Sequence, residues 1–190
     1  MPPSLILCLR HAEKPANAED DSKELDEDGA GFDQHGSLNR HSLTIKGWQR
    51  ACALATTRLA GQLADDVDAD DLEIFAPDYD DDAKEHRPYQ TVLPLRGLWR
   101  TEKIRQPGTT DEVDELHREV MKVDGIAIVC WEHDRLVDFV QKLVGDAREV
   151  AWPGDRFDVI LRLRPAPDDE ERYSLEWRDQ KLVPGDRGLG

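Results

Sequence analysis

Residues 126–140 read IAIVCWEHDRLVDFV. The six apolar residues Ile126 to Trp131, entered from Asp124-Gly125, predict a strand buried on both faces. The period then changes. Leu136, Phe139, Val140 and Leu143 fall three and four apart, which predicts a helix that stops at Gly145. A strand feeding directly into a helix is the building unit of a parallel sheet.

The same unit recurs upstream. Ser4 to Leu9 is a second continuous apolar run and predicts a doubly buried strand. Thr44 to Gln62 predicts a helix, with Thr44 as N-cap and Ile45, Trp48, Cys52, Ala55 and Leu59 on one face. Leu72 to Ala76 predicts a short strand ended by Pro77. Pro88 suits the first turn of a helix with Val92, Leu95 and Leu98 on its apolar face. Thr109 and Glu112 spell a capping box in front of Val113, Leu116, Val120 and Met121. After the turn Trp152-Pro153-Gly154, Phe157–Leu163 and Tyr173–Trp177 predict two strands joined by PAPDDEE, a hairpin at the sheet edge. Residues 15–42, rich in Asp, Glu, Gly and Ser, read as one long loop, and residues 78–85 as an acidic one. The expected fold is α/β: a three-layer sandwich of a mostly parallel central sheet, flanking helices and a late antiparallel edge hairpin. A single domain is expected over 1–178, with a flexible tail at 179–190.

A chain of 190 residues fits one domain. Its 25 basic and 41 acidic residues leave a formal charge of −16, which argues against nucleic-acid or anionic-membrane partners. A small phosphate held in a local basic pocket is still compatible. No apolar run approaches the roughly 20 residues of a membrane span. The start, MPPSLILCLRH, lacks the basic region and small-residue cleavage site of a secretory leader. Cys8, Cys52 and Cys130 are odd in number and widely spaced, unlike a disulfide framework or a zinc knuckle. A cytoplasmic protein is the expectation.

In parallel sheets ligands bind outside the carboxyl ends of the strands. Arg10-His11 follows the first strand and Glu132-His133 follows the Gly125–Trp131 strand. Arg87 lies between the second strand and its helix. These residues suit phosphate. A guanidinium fork matches phosphate oxygens, and a neutral imidazole attacks phosphorus to form a covalent intermediate. A second histidine can donate hydrogen bonds to the transferring group. His133-Asp134 opens a helix, whose first amides favour an anion.

Other motifs fall away. The aspartate runs from Asp66 and Asp78 lack the glycine and glutamate of a calcium loop. Cys52 and Arg58 have the Cys-x5-Arg spacing of cysteine phosphatases, but lie in an alanine-rich helical stretch without glycine. There is no Walker motif or Gly-x-Gly-x-x-Gly. His35, His41, His86 and His117 are scattered and read as surface or loop residues, and no metal site is expected.

The residues together resemble the histidine phosphatase superfamily, also called phosphoglycerate mutase-like. LILCLRHAEKP at 5–15 resembles its RHG-type catalytic motif. HSLTIKGWQRA at 41–51 resembles its Leu-Thr-x-x-Gly-x-x-Gln helix start. FAP followed by HRPYQTVLPL at 86–95 resembles its Arg-x-x-Gln-Thr segment, and IAIVCWEHDRLVDFV resembles the strand carrying its second histidine. The resemblance implies that His11 is the nucleophile that becomes phosphohistidine. It also implies that Arg10 and Arg87 clamp phosphate, that His133 is the second active-site histidine, and that no cofactor is needed. Ala12 stands where the family has glycine, PDYDDDAKE replaces a short link, and the mutase-type glutamate segment is absent.

Glu13, Glu132 and Asp134 are the candidates for the general acid, and alternation would point Glu132 to the other side of the strand. Lys14, Glu13 and Asn17 are within reach of a phosphate, and Arg40 and Arg50 are placed to line the mouth. The expected activity is hydrolysis of a small phosphomonoester through phospho-His11, with inorganic phosphate released. The alternatives are a phosphomutase, a protein phosphohistidine phosphatase and a catalytically weak phosphate-binding member.

Overall fold

The computed structural model describes residues 2–18, 29–58, 72–79, 86–99, 104–145 and 150–188. Three short apolar runs do lie side by side at its centre. Strands β1 (Leu5–Arg10), β4 (Leu72–Phe75) and β6 (Ile126–Trp131) join β5 (Ile104–Arg105), β7 (Val159–Ala166) and β8 (Asp169–Asp179) in a six-stranded sheet of order β5-β4-β6-β1-β7-β8. The first four are parallel. β7 runs antiparallel to β1, and β8 closes the edge as a hairpin with β7. The mostly parallel sheet and its late hairpin are as the sequence predicts.

Alternation splits each central strand between two cores. Leu5, Leu7, Leu9, Ile126, Ile128 and Cys130 face one side, with Val92 and Leu95 of helix α2 (Arg87–Trp99) and Leu54 beyond helix α1 (Ile45–Ala53). Ile6, Cys8, Ala127, Val129 and Trp131 face the other. There they meet Leu116 of α3 (Val113–Val120) and Leu136, Phe139 and Val140 of α4 (His133–Val144). Both faces are covered, so β1 and β6 carry no polar side chain before Arg10 and Glu132. Phe139 is fully buried. Phe139→Ala is expected to lower unfolding free energy by about 3–5 kcal/mol in a urea titration, the usual result of emptying an aromatic core site.

Several local expectations change. Within the loop read over 15–42, β2 (Gly31–Phe32) pairs with β3 (Leu43–Thr44) in a separate two-stranded sheet. Leu98 is exposed rather than buried, because α2 extends beyond the sheet it covers. Glu112 accepts from the Thr109 amide, but it is itself the residue before the helix, so only half of the capping box forms. α1 ends at Ala53 in a π-helical turn, Leu54–Arg58. The rest of that helix, residues 59–62, lies outside the described residues, as do 19–28, 66–71 and 80–85 of the acidic loops. The segment expected as a free tail is tied down: Gln180 is buried, and its amide donates to Asp158 at 2.8 Å. No helix among the described residues is long and apolar enough to cross a membrane.

Candidate active site

β1 and β6 pair in register, Arg10 opposite Trp131. The next residue on each strand is therefore the start of chemistry: His11 on one, Glu132 and His133 on the other. The His11 amide continues the ladder to the Trp131 carbonyl at 3.3 Å. β4 lies on the far side of β6, and the chain beyond it returns as α2, which begins at Arg87. Arg10, His11 and Arg87 are 3%, 4% and 6% exposed, a degree of burial unusual for such side chains unless they serve a site.

His11 is poised as a neutral base. Burial holds its pKa well below the ordinary histidine value; Arg87 pushes in the same direction, a backbone hydrogen bond opposes it, and Arg10 and Lys14 add to the lowering. Its Nδ1 lies 2.7 Å from the Ala12 carbonyl oxygen. A carbonyl only accepts, so Nδ1 carries the proton and Nε2 keeps the lone pair.

Arg10 is oriented by a loop that the sequence presents only as a turn. Its Nη1 donates to the Gly154 carbonyl, and its guanidinium carbon sits 4.2 Å from the centre of the Phe157 ring. The same ring lies 5.8 Å from that of His11. Burial lowers the Arg10 pKa; Glu132, Asp134 and Asp155 counteract this, and Arg87 adds to it. Phe157 carries no motif, and only the structure brings it to the site.

The catalytic loop is held from both neighbouring helices. The Ala12 amide donates to Thr91 Oγ1 at 2.9 Å, and Thr91 donates to the Arg87 carbonyl at 2.8 Å. Thr91 thereby ties the His11 backbone to the turn of α2 that presents Arg87. Gln90 accepts from the Leu43 amide at 2.9 Å and donates to Ser42 at 2.8 Å, fixing the approach to α1. Thr44 caps α1, accepting from Gly47 at 3.1 Å, while its own amide donates to the Glu13 carbonyl at 3.0 Å. Gly47 leaves room for that contact: a Cβ there would stand 2.5 Å from the Glu13 carbonyl oxygen. Gly47→Ala is expected to displace the His11–Glu13 loop. It should lower the thermal midpoint, with a cost of about 1–3 kcal/mol, and reduce kcat beyond what that loss explains.

The second cluster opens α4. Glu132 is its N-cap, with Oε2 accepting from the Asp134 and Arg135 amides at 2.8 and 3.1 Å. The carboxylate thus folds over its own helix start rather than following strand alternation. Its other oxygen contacts His133 Nδ1, and Asp134 Oδ1 lies 3.4 Å from His133 Nε2. Asp134 is exposed, while Glu132 and His133 are partly buried. Ligand-type atoms of these three residues lie within 4.8 Å of one another, yet Glu132 is already engaged as a cap.

Other candidates move. Glu13 is taken up by Arg50, which donates to both carboxylate oxygens at 2.8 and 2.9 Å, so it is not placed as a proton donor. Arg50 does not line a mouth: it is 2% exposed, inside this ion pair. His86 is buried rather than superficial, packed at 4.7 Å against the Tyr79 ring. Lys14, Asn17 and Arg40 are partly exposed; Lys14 is near enough to act on His11. Cys52 is exposed on α1, while Cys8 and Cys130 are buried.

No protein-family model and no curated protein matches the chain. Solved structures do. A mycobacterial glucosyl-3-phosphoglycerate phosphatase in complex with VO3 superposes with a TM-score of 0.55 at 13% identity, covering 93% of this chain and 99% of that one. The protein histidine phosphatase SixA, complexed with tungstate, gives 0.54 at 11% identity over 92% and 96%. A putative alpha-ribazole-5'-P phosphatase from Escherichia coli gives 0.54 at 12% over 94% and 98%. The chain has the phosphoglycerate mutase-like fold of the histidine phosphatases.

Proposed function

We propose that the protein is a phosphomonoesterase that works through a phosphohistidine on His11. The observation that carries this reading is the buried, neutral imidazole. Its Nδ1 is bound to the Ala12 carbonyl, its Nε2 keeps the lone pair, and two buried arginines act on it. The fold likeness supports it, since neighbours bearing the same architecture are phosphatases, two of them solved with oxyanions.

In the first step His11 Nε2 attacks phosphorus as the bond to the leaving oxygen breaks. Arg10, Arg87 and His133 stabilise the three equatorial oxygens. Asp134 hands a proton to the leaving alcohol; it lies beside His133, while Glu132 is engaged by the two amides it caps. In the second step water attacks phospho-His11, inorganic phosphate departs and the imidazole returns to its neutral form. Lys14 and Asn17 border the phosphate position. A small phosphorylated substrate in the cytoplasm fits this reading, without metal or cofactor.

Steady-state hydrolysis of para-nitrophenyl phosphate tests it. Turnover is expected, and dialysis against a chelator is expected to leave the rate unchanged. Turnover that vanished with chelator and returned with a divalent cation would instead favour a metal at the Glu132-His133-Asp134 cluster.

A further inference from the structure

The chain beyond β8 reaches both halves of the catalytic site through buried charges. On one side is Arg50. Its Nε and Nη2 donate to Glu13, two residues past His11, at 2.9 and 2.8 Å. Its Nη1 and Nη2 donate to Asp186 at 3.0 and 2.6 Å, and Nη1 also donates to Gln180 at 3.1 Å. Asp186 is held in turn by the amides of Leu182 and Val183, at 2.7 and 3.2 Å. On the other side is Asp158. It accepts from the Arg187 amide at 2.7 Å and from Arg156, while the Arg187 side chain donates to Asp155 at 2.8 Å. Residues 155, 156 and 158 surround Phe157, the ring under Arg10 and beside His11.

We infer that residues 180–187 are a clasp joining the His11–Glu13 loop to the 154–158 loop, and that Arg50 and Asp186 are positioning residues for His11 and Arg10. The inference rests on the phosphatase reading and assigns it a part that touches no substrate. A buried ion network returns little net stability over an apolar core, because desolvation offsets its attraction. Its geometric return here is specific: one guanidinium fixes two carboxylates from segments 173 residues apart in the chain, 13 and 186. Misplacing a nucleophile by about 1 Å costs on the order of 10²-fold in rate, so a loosened clasp acts on the chemical step.

Asp186→Asn and Arg50→Lys test this, each keeping most of the volume and some of the hydrogen bonds. They are compared with Phe139→Leu, a core change remote from the clasp, at a temperature well below every thermal midpoint. Two readouts are taken: kcat and KM on para-nitrophenyl phosphate, and the ¹⁵N resonances of the His11 ring. Asp186→Asn and Arg50→Lys are expected to lower kcat by roughly 10- to 100-fold with little change in KM. They should also shift the ring resonances, while Phe139→Leu lowers the midpoint and leaves both readouts in place. An active wild type with wild-type kcat in both clasp variants would overturn the clasp and leave the phosphatase reading standing. An inactive wild type would overturn the phosphatase reading; the ring resonances would then decide the clasp, and unchanged values in both variants would refute it.

Discussion

His11→Ala is expected to abolish phosphomonoester hydrolysis, lowering kcat/KM on the order of 10⁴-fold or more, because it removes the covalent route itself. Folding should survive, since the side chain lost makes its one listed polar contact with its own neighbour's carbonyl. The variant should also alter the pH dependence of stability. The pKa of His11 is depressed in the folded protein, so its contribution is fully present above the unfolded value of about 6.5. It is lost as the pH falls from there through the folded value, because the unfolded chain takes up the proton first. Wild type should therefore lose stability below about pH 6.5 more steeply than His11→Ala in urea titrations run across pH. Equal pH slopes would show that the imidazole is not buried neutral.

Arg87→Ala is the second large effect. Arg87 is buried at the head of α2 and acts electrostatically on both Arg10 and His11. Removing a preorganised cation from a transferring phosphoryl group costs roughly 10²–10³ in kcat, and the KM for an aryl phosphate should rise as well. Arg87→Lys should recover only part of the loss, since an ammonium cannot present a planar fork to two oxygens. Full recovery by lysine would mean that charge alone matters at this position. The loss of Arg87 also lifts one of the influences holding the His11 pKa down, so the acid limb of kcat/KM should move to higher pH in Arg87→Ala.

These effects were legible in the sequence because they lie at the ends of strands that hydrophobicity alone marks out. Ser4–Leu9 and Gly125–Trp131 are apolar on both faces, and the change to charge at Arg10 and Glu132 locates the sheet edge. The motif letters also acquire physical meaning. Thr44 and Gly47 receive the Glu13 backbone, Gln90 holds Leu43, and Thr91 holds Ala12. What stayed hidden is non-local. β2, β3 and β5 have two residues each, too few to show a period. Arg50 looks like an exposed helix residue until Glu13 and Asp186 are seen to close on it. Phe157 and Gly154 belong to a stretch whose sequence announces a turn but not its destination. The terminal segment is polar and reads as frayed, yet its polarity is spent on buried partners such as Arg50 and Asp158.

The most direct test is the identity of the phosphorylated atom. Enzyme quenched during turnover of an aryl phosphate, uniformly labelled with ¹⁵N, can be read by ³¹P–¹⁵N coupling. Phosphate on Nε2 of His11 is the predicted result, because Nδ1 is committed to the Ala12 carbonyl. Phosphate on Nδ1, on His133, or on no histidine in an enzyme that turns over would contradict the account.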